Sequence, residues 1–271
     1  QDILAIRKIL IKQFGNSSKA YHLFMDFKTF FSREIQVGNL DNNPAAGVPN
    51  VAYKQKDRKP ISIKAVQAII SLRDSIPIKY YWAFAVIAAA TGMRRSEVLA
   101  LTPETVSNGI IRIEMAFKWI GKNRYGLGDP KCGSFRNIAE PKLVAYALSQ
   151  IPQPAKNERY FPFDSHWADK AIHFVRFLAS SQYPELAGEF EKLTAHVFRH
   201  TATTILLTEG APRELIEVWM GWKRTMAGTM LDNYAHPEGE QMRGLADIID
   251  DKLTPDSLRD DVMKISFNSD N

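Results

Sequence analysis

At 271 residues, 45% hydrophobic and 24% charged, the chain is long enough to bury a core and too mixed in composition to be disordered or fibrous. Its longest apolar run, Tyr80 to Ala90, is too short to span a bilayer. No secretory signal pattern opens the chain, and a single cysteine, Cys132, excludes an internal disulfide and fits a reducing, cytoplasmic setting. The net charge of +5 is unevenly spread. Residues 237–271 carry nine Asp/Glu against four Lys/Arg, which leaves a strongly basic body suited to a polyanionic partner, nucleic acid first.

Helical spacing of Ile3, Ile6 and Leu10, then of Tyr21, Phe24 and Phe27, predicts a helical segment before Gly38. Pro and Gly in residues 38–50 break it. Residues 54–60, with Lys54, Lys56, Arg58 and Lys59 ahead of Pro60, are polar, basic and aperiodic, and read as an interdomain linker. Ser62 then caps an amphipathic helix through Ile63, Val66, Ile69 and Ile70. The apolar helix of residues 80–90 follows and breaks at Thr91-Gly92 before another that carries Arg94, Glu97, Val98 and Leu101.

Residues 109–117 alternate like a strand. A Gly-rich turn region (Gly121, Gly126, Gly128) separates them from a second short strand, Ser134–Ala139. Beyond Lys142 the chain reads as mostly helical. Thr194 caps a helix from Ala195 to about Glu209, ended by Gly210. Pro212 opens the next helix and Gly221 closes it, and a further helix carries Met230, Leu231 and Tyr234. The expected fold is mainly α with a small antiparallel β-sheet. Its parts are a helical domain 1–53, a linker 54–60, a larger domain 61–236 and an acidic tail 237–271.

Four groups of residues carry potential chemistry. His196 and Arg199 lie three apart on one helix: an arginine fork suits phosphate and a histidine moves protons near neutral pH. His196 and His200 also have an i,i+4 metal-ligand spacing. The zinc-protease pattern requires Glu after the first His, where this chain has Val197, so no metal site is expected. Arg94 starts a helix directly after an apolar one, with Glu97 one turn on to orient it. Lys131, at the mouth of a strand, can donate a proton to a substrate oxygen. Tyr234 is a potential covalent nucleophile. Taken singly, each of these is as easily a surface or packing residue.

Their order and spacing are more specific. TGMRRSEVLAL (residues 91–101) and AHVFRHTATTILLTEG (195–210) resemble the two arginine boxes of the tyrosine recombinase, or phage integrase, family. PKCGSFRNI (130–138) resembles its lysine hairpin, and MGW with LDNYAH its His/Trp and tyrosine region. The resemblance spans roughly residues 22–240 and includes the end of a core-binding domain before the linker. Trp222 stands where most members have His; it keeps one N–H donor but no acid–base capacity. Cys132 replaces the usual Thr. The helical segment before the linker is short for a full core-binding domain. We therefore expect a partial core-binding domain, and an N-terminus truncated before Gln1, without an arm-binding domain.

The resemblance implies a catalytic set of Arg94, Lys131, His196, Arg199, Trp222 and Tyr234, with Glu97 orienting the site. Tyr234 would attack the scissile phosphate of double-stranded DNA at a specific recombination site. Arg94 and Arg199 would clamp the non-bridging oxygens, Lys131 would protonate the leaving 5′-oxygen, and no cofactor is needed. Lys54, Lys56, Arg58, Lys59, Arg95, Arg136 and His200 would contact DNA. A homotetramer on DNA is implied, with DNA-bending accessory proteins as further partners. Leu245, Ile248 and Ile249 would give the tail an apolar edge for a neighbouring protomer. The alternatives are a type IB topoisomerase and a catalytically silent DNA-binding protein, with a zinc hydrolase a distant third.

Overall fold

The N-terminal periodicity produces two helices, α1 (Asp2–Phe14) and α2 (Ser18–Gln36). Ser17 caps α2, its hydroxyl accepting from the Ala20 amide. A small core of Ala20, Phe24 and Val51 packs with Leu10, Ile11 and Phe14. The Pro/Gly-rich segment expected as a breaker folds back on α2: Lys28 Nζ donates to the Val48 carbonyl at 2.5 Å, and Asn43 Nδ2 to Ser32 Oγ at 3.0 Å. The computed structural model describes residues 2–53, 59–121, 124–222 and 240–267, and divides into two units, Gln1–Asp57 and Arg58–Asn271. The boundary falls inside the stretch read as a linker. Of that stretch Lys54, Lys56 and Arg58 lie outside the described residues, and Lys59 is exposed.

The second unit is built around one helix. After α3 (Ile63–Ser71), α4 (Lys79–Thr91) is buried at every position from Trp82 to Thr91. A helix that is apolar on all sides has no face for water, so it becomes a core. Gly92 ends it in the left-handed conformation (φ 63°). The short α5 (Arg95–Val98) follows.

The strands differ from the sequence expectation. The segment 109–117 splits into β2 (Ile110–Ile113), which follows β1 (Val106–Ser107), and β3 (Ala116–Gly121). The Gly-rich segment forms β4 (Arg124–Gly128), antiparallel to β3. Its glycines make room for the neighbouring strand's side chains: a Cβ on Gly126 would meet Ile120 Cδ1 at 2.6 Å. After a tight turn at Lys131–Gly133, β5 (Arg136–Ala139) pairs with β2, giving the order β1-β2-β5.

Helices α6 (Lys142–Ser149), α7 (Ser165–Gln182) and α8 (Ala187–Phe190) follow. Thr194 caps α9 (Ala195–Thr208), and α10 (Arg213–Met220) ends at Gly221, φ 61°, as the punctuation predicts. The helix expected around Met230–Tyr234 lies outside the described residues. The chain resumes with α11 (Glu240–Leu253) and α12 (Asp256–Met263).

In α11 and α12 the apolar edge expected to meet another protomer packs within the chain's own second unit. Met242, Leu245, Ala246, Ile249 and Leu253 form a helical stripe buried in the core of their own unit, and Ile248 packs beside them. Asp250, also buried, accepts from the amides of Lys142 (2.7 Å) and Leu143 (3.0 Å) at the start of α6. Its charge meets the positive end of a helix inside the same chain.

Beside it, burial raises Glu140 to about 8, with Asp250 adding repulsion and Arg243 only partly opposing. A carboxyl whose folded pKa is raised stabilises the fold most fully below its unfolded pKa. That share is lost as pH climbs through the folded value. The melting temperature should therefore fall between pH 5 and pH 9, and Glu140→Gln should flatten much of that slope. A slope unchanged in Glu140→Gln would show that another group titrates.

Candidate active site

The site forms where the ends of α4 and α10 meet the starts of α5 and β5. Arg94, directly before α5, is held from its own helix: its amide donates to Glu97 Oε2 at 2.9 Å and its Nη1 to Glu97 Oε1 at 2.7 Å. The other side of the Glu97 carboxylate takes Arg136 Nη2 at 2.9 Å. Both members of the Glu97–Arg136 pair are nearly inaccessible, with side chains 1% and 3% exposed. Arg199, from α9, is also buried. Its Nη1 donates to the carbonyl of Gly92 at 2.8 Å and its Nη2 to that of Met220. Those carbonyls sit at the C-terminal ends of α4 and α10, where the helix dipole favours a cation.

Two guanidinium groups thus bind one carboxylate, and a third, Arg199, lies near enough to feel its charge. Burial alone would push the Glu97 carboxyl up, but Arg136 and Arg94 outweigh it and hold Glu97 below the usual carboxylate range. Arg199 shows the complementary effect. Burial, then repulsion from Arg94 and Arg136, lowers it to about 10, with Glu97 opposing. The cluster keeps an excess of positive charge in a water-poor setting. Such a setting favours an anion with planar or tetrahedral oxygens.

The Lys131 turn is tied to the same cluster. Arg94 Nη1 donates to Ser134 Oγ, and Arg136 Nη1 to the Ser134 carbonyl, both at 3.0 Å. Lys131 itself is exposed, and Cys132 after it adopts a positive φ of 61°. On the far side, Arg136 Nε donates to the Trp219 carbonyl at 2.8 Å, and Arg94 Nη2 approaches the Gly221 carbonyl at 3.5 Å. Trp222, the next residue, is 44% exposed, and its amide donates to the Glu217 carbonyl.

His196 and His200 are exposed on α9, their rings edge to face at 4.6 Å. Among the described residues no cluster of His, Cys, Asp and Glu could hold a metal ion. Tyr234 lies outside the described residues.

Two expected DNA contacts change character. Arg136 is not a surface side chain; its donors go to Glu97, Ser134 and Trp219. It sits on β5 with Ile138 on the same face, and a strand that turns Ile138 inward turns Arg136 inward too. Arg95 pairs with Asp169. Ser134 and the carbonyls of Gly92, Trp219, Met220 and Gly221 were not legible as site groups; the Gly residues ending α4 and α10 were the available signal.

Gly221 is a sensitive point. Its φ is positive, and a Cβ there would meet Arg136 Nη1 at 2.7 Å, a group fixed by Glu97. Gly221→Ala should cost about 1–2 kcal/mol from backbone strain alone, together with reduced activity as Arg136 shifts. Equilibrium denaturation is the check, and an unchanged midpoint would contradict the packing described.

The second unit is thus mainly helical with a small sheet and a buried arginine cluster of net positive charge. Residues 60–241 match the family model described as "Phage integrase family", and the chain belongs to that family. Curated relatives include tyrosine recombinase XerD of Vibrio vulnificus strain YJ016, 25% identical over 198 residues. That match covers 66% of this chain and 58% of the relative. XerD of Yersinia pestis is 27% identical over 217 residues, covering 76% and 66%. The chain therefore spans less than two thirds of these relatives' length.

Among solved structures, the Tn1549 transposon integrase (residues 82–397) in complex with circular intermediate DNA has a TM-score of 0.66 at 19% identity, covering 89% of this chain and 84% of that one. A lambda integrase tetramer bound to a Holliday junction has a TM-score of 0.56 at 15% identity, covering 85% and 62%. These likenesses establish the fold.

Proposed function

We propose that the chain is the catalytic part of a tyrosine-type site-specific DNA recombinase. The observation that carries this reading is the Arg94–Glu97–Arg136–Arg199 cluster, with the Lys131 turn tied to it through Ser134. In the reaction, the Tyr234 oxygen attacks the scissile phosphorus and the bond to the 5′-oxygen breaks. A 3′-phosphotyrosyl link forms, and the leaving oxygen takes a proton from Lys131. Arg94 and Arg199 neutralise the non-bridging oxygens as charge grows on them. His196 takes the tyrosine proton, and the Trp222 N–H donates to the phosphate. Religation to a different 5′-hydroxyl reverses these steps. The phosphotyrosyl bond conserves the energy, so no ATP is consumed.

The partner is double-stranded DNA carrying a recombination site, bound by four copies of the chain, with DNA-bending proteins as helpers, in the cytoplasm. Lys54, Lys56, Arg58, Lys59 and His200 supply phosphate contacts, which makes binding salt-sensitive. The relatives named tyrosine recombinases and the integrase–DNA complexes among the fold neighbours support this assignment.

The test uses a plasmid carrying two copies of a site selected from a randomised duplex pool by covalent capture. Deletion or inversion between the sites is the expected product. Relaxation of supercoils without exchange would instead make the chain a type IB topoisomerase-like enzyme. Salt-sensitive binding with neither product would make it a silent DNA-binding protein.

A further inference from the structure

We infer that Arg136 is a positioning residue that sets the Lys131 turn relative to the Arg94 clamp. The inference rests on the recombinase reading above. A guanidinium presents five donors in a rigid plane, and here that plane joins three elements at once. Nη2 binds Glu97 on α5, Nη1 binds the Ser134 carbonyl in the lysine turn, and Nε binds the Trp219 carbonyl at the end of α10.

Each contact fixes a different part of the site. Glu97 is the group that holds Arg94. Ser134 lies three residues from Lys131, and Trp219 three residues from Trp222. The side chain is almost fully enclosed, and left-handed Gly221 leaves the space that it fills. A buried arginine that served stability alone would need only its carboxylate. This one also spends two donors on the backbone of the segments that carry Lys131 and the Trp222 donor. The exposed turn around Lys131 has two ties to the rest of the site through Ser134: its hydroxyl with Arg94 and its carbonyl with Arg136. Loss of Arg136 removes the backbone tie.

The consequence is selective. Without Arg136, the attack on phosphorus keeps its clamp from Arg199, but the leaving 5′-oxygen loses its positioned proton donor. A substrate whose scissile 5′-oxygen is replaced by sulfur does not need that proton, because a thiolate leaves readily unprotonated.

The experiment compares single-turnover formation of the covalent adduct on nicked duplexes with a 5′-oxygen or a 5′-sulfur at the scissile bond, for wild type, Arg136→Met and Arg136→Lys. Arg136→Met should be slowed about 100-fold on oxygen, the order a general acid contributes, and restored to near the wild-type rate on sulfur, with DNA affinity unchanged. Arg136→Lys keeps the charge opposite Glu97 but cannot reach all three acceptors. It should show the same selective defect, and it decides the matter if Arg136→Met fails to fold. Equal slowing on both substrates would make Arg136 merely structural and overturn the inference, as would an unchanged rate on oxygen in a folded variant. A wild type that forms no adduct on either substrate would overturn the recombinase reading itself.

Discussion

Glu97→Ala should destabilise the catalytic unit by roughly 3–5 kcal/mol, the cost of removing one partner from a buried ion pair. Glu97 is the only carboxylate that the described contacts place among Arg94, Arg136 and Arg199. Without it, Arg136 keeps two backbone acceptors but no counter-charge, and three guanidiniums repel one another in a poorly screened space. In a unit of this size such a loss lowers the melting temperature by roughly 6–20 °C. Glu97 has a depressed folded pKa, so its contribution is present above the unfolded value of 4.5 and is lost as pH falls through the folded value. The gap between wild type and Glu97→Ala should therefore be wide at pH 7 and close in acid. A gap that does not narrow at all as pH falls below 4.5, or one below about 1 kcal/mol at pH 7, would contradict the electrostatic account.

Arg199→Met should leave stability close to that of wild type and do far more damage to activity. Arg199 is lowered to about 10 by burial and by repulsion from the other two arginines, so its charge is held against a local cost. Methionine fills much of the same volume and removes that repulsion. It leaves the carbonyls of Gly92 and Met220 each short of one donor. These effects offset one another, and the folded state should stay within about 1–2 kcal/mol of wild type. Adduct formation should fall by about 100- to 1,000-fold, the typical loss when one preorganised donor to a developing oxyanion is removed. Duplex affinity should change little, because the other phosphate contacts proposed above remain. A loss of stability as large as that of Glu97→Ala, with activity retained, would mean that Arg199 is a structural residue. A large stability loss in Glu97→Ala beside a large activity loss at near-unchanged stability in Arg199→Met would locate the trade between stability and function inside one cluster.

Much of this architecture was legible in the sequence because local physics decided it. The run at residues 80–90 lacks a polar face and became the central helix. Thr194, Gly210, Pro212 and Gly221 punctuated α9 and α10 where backbone chemistry requires it. The order of Arg94, Lys131, His196 and Arg199 was also readable, and the contacts of Arg94, Glu97 and Arg199 bring three chain segments to one place. What escaped the reading depended on partners distant in sequence. Arg136 looked like a surface cation because nothing near it in the chain reveals Glu97, thirty-nine residues earlier. The apolar edge of Leu245, Ile248 and Ile249 in residues 237–271 was readable, but not that it packs inside its own unit. The inward stripe of Leu245 and Ile249, and the use of Asp250 to cap α6, appear only in three dimensions. The β3–β4 hairpin was hidden by its glycines, which mark turns more often than strands.

We propose that phosphoryl transfer runs through attack by Tyr234 on an arginine-clamped phosphate. The most direct test is denaturing electrophoresis of the intact chain after incubation with nicked suicide duplexes, beside Tyr234→Phe. An SDS-resistant protein–DNA adduct should form in wild type and none in the variant, while both bind the duplex equally. An adduct that survives Tyr234→Phe would assign the nucleophile elsewhere. Salt-sensitive binding with no adduct in wild type would contradict the claim of catalysis itself.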